Sequence, residues 1–147
     1  RGEQAHGFGL TDFIDPATWA DPVAAIRELS GGGVDHAFEC VGHPALMAQA
    51  LESTRIGCGC CTVLGVPPDG QTMPLVPFSL QLGRTVKGSF LGNIKTRSEL
   101  PGLLDRHAAG QLDLAGLVSH RLPLAQANAG FDLMKSGDAL RVVLQFD

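Results

Sequence analysis

Three cysteines crowd into Cys58-Gly59-Cys60-Cys61, and a fourth, Cys40, stands apart. Such a cluster offers two chemistries, a metal site or a redox pair. Structural zinc takes paired CxxC-like knuckles that let four ligands converge. Here the cluster runs into Thr62-Val63-Leu64, so alternate residues point to opposite faces of a strand. The reading as small buried cysteines of a core strand is favoured, with metal or redox function left as the alternative. The five histidines, His6, His36, His43, His107 and His120, show neither HExxH nor any other close ligand spacing. Each is read as a surface or core residue. There is no GxSxG elbow and no P-loop, so neither that hydrolase motif nor Walker-type phosphate binding has support. No catalytic and no metal-ligating residue is expected in the chain.

The glycine clusters face the same test. A dinucleotide fingerprint places GxGxxG after a strand and at the opening of a helix, where amides and helix dipole meet a pyrophosphate. Gly31-Gly32-Gly33 follows a helical segment and precedes a strand, and Gly57-Cys58-Gly59 has the same order. Neither is a phosphate loop. Ligand chemistry is expected instead where apolar strands stop, at Glu39-Cys40-Val41-Gly42, Val63-Leu64-Gly65-Val66-Pro67-Pro68 and Gly88-Ser89-Phe90-Leu91-Gly92. In an open α/β sheet, ligands bind beyond the carboxyl ends of the strands, where freed amides and carbonyls can hold a carboxamide or ribose.

The elements that must position these ends follow from periodicity. Thr11–Ile14 reads as a short strand, broken by Asp15-Pro16. Asp21 is an N-cap with Pro22 at the first helical position, and Val23, Ile26 and Leu29 form an apolar face. Gly31–Gly33 ends that helix and feeds a strand, Val34–Glu39. A second helix after Gly42-His43-Pro44 carries Leu46, Met47, Ala50, Leu51 and Thr54, and leads to a strand from Cys60 to Leu64. Pro67, Pro68, Pro74 and Pro77 mark an irregular loop before a strand from Thr85 to Leu91, in which Gly88 could permit close backbone approach. A helix over Thr96–Ala109 has Leu100, Leu103, Leu104 and His107 on one face, with Pro101 in its first turn. A short strand, Leu117–His120, precedes a helix over Leu124–Lys135 with Leu124, Ala127, Phe131 and Met134 on one face. Ser136-Gly137 stops it, and a last strand runs from Leu140 to Phe146. Strands alternating with such helices predict βαβ units and a parallel sheet covered on both faces.

Composition agrees with an ordinary globular protein. The chain has 147 residues, of which 44% are hydrophobic and 18% charged. That length can bury about 68–70% of the surface exposed when unfolded. The net charge of −4, without a basic tract, argues against nucleic acid or an acidic membrane as partner. No apolar run approaches the ~20 residues of a membrane span, and no signal-peptide pattern opens the chain. Nothing demands an oxidising compartment, so a cytoplasmic protein is expected. The chain opens on Arg1 and its first methionine is Met47, which favours a truncated chain. Taken this far, the residues support an α/β domain able to bind a nucleotide.

The wording of the segments carries the reading further. Gly9-Leu10-Thr11-Asp12-Phe13-Ile14-Asp15-Pro16 resembles the GAT-x-x-I-N-P of zinc-type medium-chain alcohol dehydrogenases. Phe38-Glu39-Cys40-Val41-Gly42 resembles that family's FE-x-x-G, and Leu64-Gly65-Val66-Pro67-Pro68 its VGVPP. Gly83-Arg84-Thr85-Val86-Lys87-Gly88 is similar to GRT-W-KG. Gly130-Phe131-Asp132-Leu133-Met134-Lys135-Ser136-Gly137 is similar to the closing GFDLM-x-SG, and Leu140-Arg141-Val142-Val143-Leu144 to IR-T-V-L. Each match is weak alone, but they occur in order along essentially the whole chain.

The resemblance implies the C-terminal part of an NAD-dependent, zinc-dependent alcohol dehydrogenase. Residues 1–90 would be the C-terminal half of a Rossmann-type, doubly wound NAD-binding domain. Residues 91–147 would return to a GroES-like catalytic domain. It also implies site roles. Arg1 would contact the adenosine ribose; Cys40, Val41 and His43 would line the adenosine side. The backbones of Leu64, Ser89 and Leu91, in the segments that include Gly65 and Phe90, would hold the nicotinamide carboxamide. Val66 would lie near the substrate, and Arg141 would reach the pyrophosphate. The GxGGxG turn, the acidic ribose ligand and the zinc ligands of the family have no counterparts here. Zinc is therefore expected only in a full-length enzyme, and this chain alone is expected to be inactive. A homodimer through the strand near Val86–Phe90 and a small alcohol or aldehyde substrate are implied as partners. Ethanol-like alcohols and formaldehyde–thiol adducts both stay open, as does NAD against NADP. A non-enzymatic dimerisation or nucleotide-binding remnant is the alternative, and a plain α/β packing unit without ligand a third reading.

Overall fold

A computed structural model describes the backbone of residues 2–146 and all side chains in that range but those of residues 3 and 4. The role expected of Arg1 thus lies outside the described residues. The chain forms two compact units, Arg1–Asn93 and Ile94–Asp147.

In the first unit a short helix, α1 (Gly2–His6), leads into irregular chain. The expected strand Thr11–Ile14 does not form: among the described residues it has no ladder partner, and Phe13 is exposed. Helix α2 (Pro22–Leu29) starts as its sequence dictates, with Asp21 extended and its Oδ1 accepting the Ala24 N–H at 3.0 Å. Gly33 has φ +125°, and a Cβ there would fall 2.8 Å from the Arg55 nitrogen, so only glycine lets the chain pass under Thr54-Arg55. Strand β1 spans His36–Glu39, two residues shorter than expected at its start, with Val34 making a lone bridge to Thr54. Helix α3 (Pro44–Ser53) buries Met47 and Leu51, while Leu46 stays largely exposed.

Strands β2 (Cys60–Val63) and β3 (Thr85–Gly88) complete a parallel sheet of order β1-β2-β3. Its core is small: the largest fully buried side chains among the described residues are Leu51, Thr54 and Cys61. Coverage on both faces holds only for the central strand. In β1, Phe38 is 64% exposed, and β3 has no buried residue. Outer strands with one hydrogen-bonded neighbour cannot be enclosed as a central strand is. The proline-rich stretch is irregular as expected, except for helix α4 (Pro77–Gln81), with Pro77 at its first position. Strand β3 ends at Gly88 rather than Leu91, because the chain then turns sharply. A Cβ at Gly88 would meet nothing within 4 Å, so no close backbone approach occurs there among the described residues.

One partly buried network ties these elements together. The Arg84 Nε donates to the Thr54 carbonyl at 3.0 Å, and its Nη1 donates to the Ser79 Oγ at 2.9 Å. Ser79 donates in turn to the Glu52 Oε1 at 2.6 Å, and Glu52 also pairs with Arg27. The ends of α2 and α3, helix α4 and the start of β3 are thereby fixed to one another.

The second unit begins with helix α5 (Thr96–Ala108). Pro101 is its sixth residue, not in its first turn; it removes one i→i−4 bond from the helix interior. No residue of α5 is buried, so the expected apolar face of Leu100, Leu103, Leu104 and His107 is not a core face within this unit. The strand expected over Leu117–His120 lies instead at β4 (His120–Pro123). Leu117 closes a 3-10 turn, its N–H donating to Leu114, with Asp113 capping the Gly116 N–H at 2.8 Å. A 3-10 turn over residues 124–126 precedes helix α6 (Ala127–Ser136), and β5 (Val142–Gln145) pairs parallel with β4. Gly130 is the buried residue of α6, because a Cβ there would already press the Val142 Cγ1 at 3.1 Å. Gly137, with φ +80°, stops the helix as expected. No helix among the described residues is long and apolar enough to cross a membrane.

Candidate functional site

Parallel register sets Glu39, Val63 and Gly88 side by side. The segments that follow, Cys40–Gly42, Leu64–Val66 and Ser89–Leu91, therefore leave the sheet from one edge. This brings together most of the residues singled out from the sequence. Arg141 belongs to the second unit, just before β5, and its carbonyl accepts from Ser119 and His120.

In the first loop Cys40 and Val41 are exposed, and His43 caps α3 by accepting the Ala45 N–H on Nδ1 at 3.3 Å. The loop takes its shape from Glu39, which belongs to the expected strand-end segment but has no role of its own in the sequence reading. Glu39 is 4% exposed; its Oε1 accepts the Val41 N–H at 2.9 Å and the Gly42 N–H at 2.8 Å. Its Oε2 is buried without a partner among the described residues. No distinct sequence signal marks it, because the same strand segment also carries Asp35 and His36.

The second loop rests on the same residue. The Leu64 and Gly65 N–H groups both donate to the Glu39 carbonyl, at 2.8 and 3.0 Å. A Cβ on Gly65 would sit 2.6 Å from the Gly42 Cα and 2.7 Å from the Glu39 Oε2, so this position is glycine for space. Val66, beyond it, is 80% exposed.

The third loop is a left-handed turn. Leu91, Gly92 and Asn93 have φ of +48°, +71° and +55°. A leucine in that region is strained, at a cost of about 1–3 kcal/mol, and persists only if its surroundings determine it. Asn93 does so: its N–H donates to the Phe90 carbonyl at 2.8 Å, and its Oδ1 accepts the Phe90 N–H at 3.2 Å. Ser89 is held to β2 by its N–H on the Val63 carbonyl at 2.9 Å.

What these bonds leave over is the chemistry of the site. Among the described residues, the carbonyls of Leu64 and Ser89 and the amide of Leu91 take part in no hydrogen bond. Two acceptors and one donor, beside the exposed apolar side chains of Val41, Val66 and Phe90, complement a planar group with two N–H donors and one carbonyl. The cysteine cluster takes no part. Cys61 is buried in β2, whereas Cys58 is exposed and Cys60 half-buried, so only one of the three is a core cysteine. Burial first, then the neighbouring Cys60 and Glu39, push the Cys61 thiol above its ordinary range, away from nucleophilic or ligand chemistry. Among the described residues no three His, Cys, Asp or Glu side chains converge as a metal site.

Known proteins resemble this chain in sequence and fold. Residues 1–109 match the sequence profile of the zinc-binding dehydrogenases. Alcohol dehydrogenase 1 of Solanum tuberosum is 38% identical over 148 aligned residues, covering 100% of this chain and 39% of that protein. An S-(hydroxymethyl)glutathione dehydrogenase of Escherichia coli O1:K1 is 39% identical over 145, covering 98% of this chain and 39% of the relative. Among solved structures, benzyl alcohol dehydrogenase from Acinetobacter calcoaceticus superimposes with a TM-score of 0.90 at 29% identity, over 99% of this chain and 40% of that one. The chain thus spans about two fifths of the length of the proteins it matches, aligning with their C-terminal part. The α/β fold with parallel sheets, the ordered strand-end segments and these matches agree: the chain belongs to the zinc-binding dehydrogenase family.

Proposed function

We propose that this chain supplies the nicotinamide-holding part of the coenzyme site in an NAD-dependent, zinc-dependent alcohol dehydrogenase. The observation that carries the reading is the uncommitted trio at the strand ends. The Leu64 and Ser89 carbonyls would accept the two N–H groups of a primary carboxamide, and the Leu91 amide would donate to its oxygen. Bound there, the nicotinamide supplies hydride transfer to or from an alcohol or aldehyde. The chain's own part is orientation. Three fixed backbone groups hold the ring's rotation, Val66 and Phe90 offer apolar walls, and Cys40, Val41 and His43 border the adenosine side.

Zinc is a different case. The described residues offer no converging ligand set, so they do not fit the metal. Zinc ligation, and with it turnover on a small alcohol or aldehyde, belongs to the full-length enzyme, and this chain alone is expected to be inactive. Residues 1–90 are assigned to the nucleotide-binding domain and 91–147 to the segment returning to the GroES-like catalytic domain. Arg141 is assigned to the pyrophosphate, β3 near Val86–Phe90 to a homodimer contact, and the protein to the cytoplasm.

The test is a fluorescence titration of the chain with NADH and with the reduced 3-acetylpyridine analogue, which lacks the carboxamide N–H groups. Saturable NADH binding, weakened about ten-fold in the analogue, is expected, since two hydrogen bonds are worth about 1–3 kcal/mol together and about 1.4 kcal/mol is ten-fold. Equal affinity for the two dinucleotides, or no NADH binding at millimolar concentration, would refute the reading.

A further inference from the structure

The Leu64 and Ser89 carbonyls are free for a reason that the ladders reveal. Parallel strands exchange evenly spaced bonds, alternate residues of one strand bonding to the two residues that flank their partner. Between β1 and β2, Cys60 donates to Asp35 at 2.9 Å and Leu64 to Glu39 at 2.8 Å. The next rung in that alternation would run from the Val41 N–H to the Leu64 carbonyl. Between β2 and β3, Thr85 donates to Gly59 and Ser89 to Val63, each at 2.9 Å. The next rung there would run from the Gly65 N–H to the Ser89 carbonyl.

Neither rung forms, and one residue takes both donors. The Val41 N–H turns to the Glu39 Oε1 at 2.9 Å, and the Gly65 N–H turns to the Glu39 carbonyl at 3.0 Å. We infer that Glu39 is the positioning residue of the site: its side chain holds the Val41 amide out of the β1–β2 ladder while its main-chain carbonyl holds the Gly65 amide out of the β2–β3 ladder, which leaves the Leu64 and Ser89 carbonyls open to a ligand. The identity of that ligand rests on the dinucleotide reading above; the role of Glu39 in shaping the loops does not. A strand end needs no buried acid. Glu39 is 4% exposed and its Oε2 meets no donor among the described residues, which a fold would not retain for packing alone.

Reach, rather than charge, is what this role requires. Of the side chain only Oε1 is used, for the Val41 and Gly42 amides, and a glutamine carbonyl can accept the same two N–H groups, whereas aspartate is one methylene short. The test compares the chain with Glu39→Gln and Glu39→Asp by amide hydrogen exchange and by NADH titration. In Glu39→Gln, the Val41 and Gly42 amides should exchange within about two-fold of the original chain, and NADH affinity should stay within about three-fold. In Glu39→Asp those two amides should exchange at least about ten-fold faster. The Leu64 amide, held by the main-chain carbonyl of residue 39, should change by less than about two-fold. NADH affinity should then fall about ten-fold.

Unchanged exchange at Val41 and Gly42 in Glu39→Asp would overturn the inference. So would rescue by aspartate but not by glutamine, or released amides with NADH affinity intact. Failure of every chain to bind NADH would sink the dinucleotide reading only, and the exchange ratios would then decide the role of Glu39 by themselves.

Discussion

Replacing Glu52 by alanine removes the carboxylate from the network that anchors β3. Arg84 has a side chain only 4% exposed, and Glu52 Oε2 lies 3.6 Å from its Nη1. Without Glu52 the guanidinium keeps the Thr54 carbonyl and the Ser79 hydroxyl, but its charge is buried without a counter-ion. Breaking a buried pair from one side costs about 3–5 kcal/mol. The Glu52 side chain is 36% exposed and the separation is long, so solvent screening brings the expected loss down to about 2–3 kcal/mol. Arg84→Met should cost less, about 1–2 kcal/mol, because it removes the charge, keeps the volume and orphans one carbonyl. Urea unfolding read by circular dichroism measures both, and the Glu52→Ala/Arg84→Met double variant closes the cycle. The double variant should recover about 1 kcal/mol or more relative to the sum of the singles. Loss of less than about 0.5 kcal/mol in Glu52→Ala, or additivity within about 0.3–0.5 kcal/mol, would refute the argument.

Further outcomes follow from local geometry. Gly65→Ala should weaken NADH binding at least about ten-fold and lower stability by more than about 1 kcal/mol, since its Cβ meets backbone that cannot yield. Gly88→Ala, with open space around it, should change neither by more than about 0.5 kcal/mol in the same titration and melt. Asn93→Gly tolerates the positive φ yet loses the side-chain bonds that hold Phe90, so it should cost about 1 kcal/mol in urea unfolding and reduce NADH affinity. The Cys61 thiol, raised by burial and then by Cys60 and Glu39, holds its proton more tightly folded than unfolded. Its contribution to stability is therefore complete below the unfolded thiol range, about 8.5, and is lost as pH rises through the folded value. Urea midpoints should fall above about pH 9 and fall less in Cys61→Ala. Iodoacetamide at pH 8, mapped by mass spectrometry, should label Cys40 and Cys58 first and Cys61 only on unfolding.

Local chemistry made much of the first unit legible. Asp21-Pro22, Gly31–Gly33 and Gly42-His43-Pro44 punctuate α2, β1 and α3 in the sequence as they do in the fold. Contacts between distant residues were less accessible. Thr11–Ile14 has strand-like residues but no neighbour to pair with, and Leu117-Val118 closes a turn stabilised by Asp113, three residues before Gly116. The face of α5 reads apolar, yet none of its residues is buried, and only Leu103 and His107 of that face are half-buried. At the site, the strand ends could be found from Gly65 and from the Gly88–Gly92 run. The part played by Glu39 could not, because it depends on which amide each carbonyl meets across two ladders. The left-handed turn at Leu91 was hidden too, since leucine gives no sign of a positive φ.

The central claim is that backbone groups at the ends of β2 and β3 hold a nicotinamide carboxamide. The most direct measurement is an amide-resolved NMR titration of the chain with NAD and, in parallel, with ADP-ribose, which lacks the nicotinamide. The Leu91 N–H and the Leu64 and Ser89 carbonyl resonances should move saturably with NAD and stay in place with ADP-ribose. Identical shifts with both ligands, or none at these three residues with NAD bound, would contradict the claim.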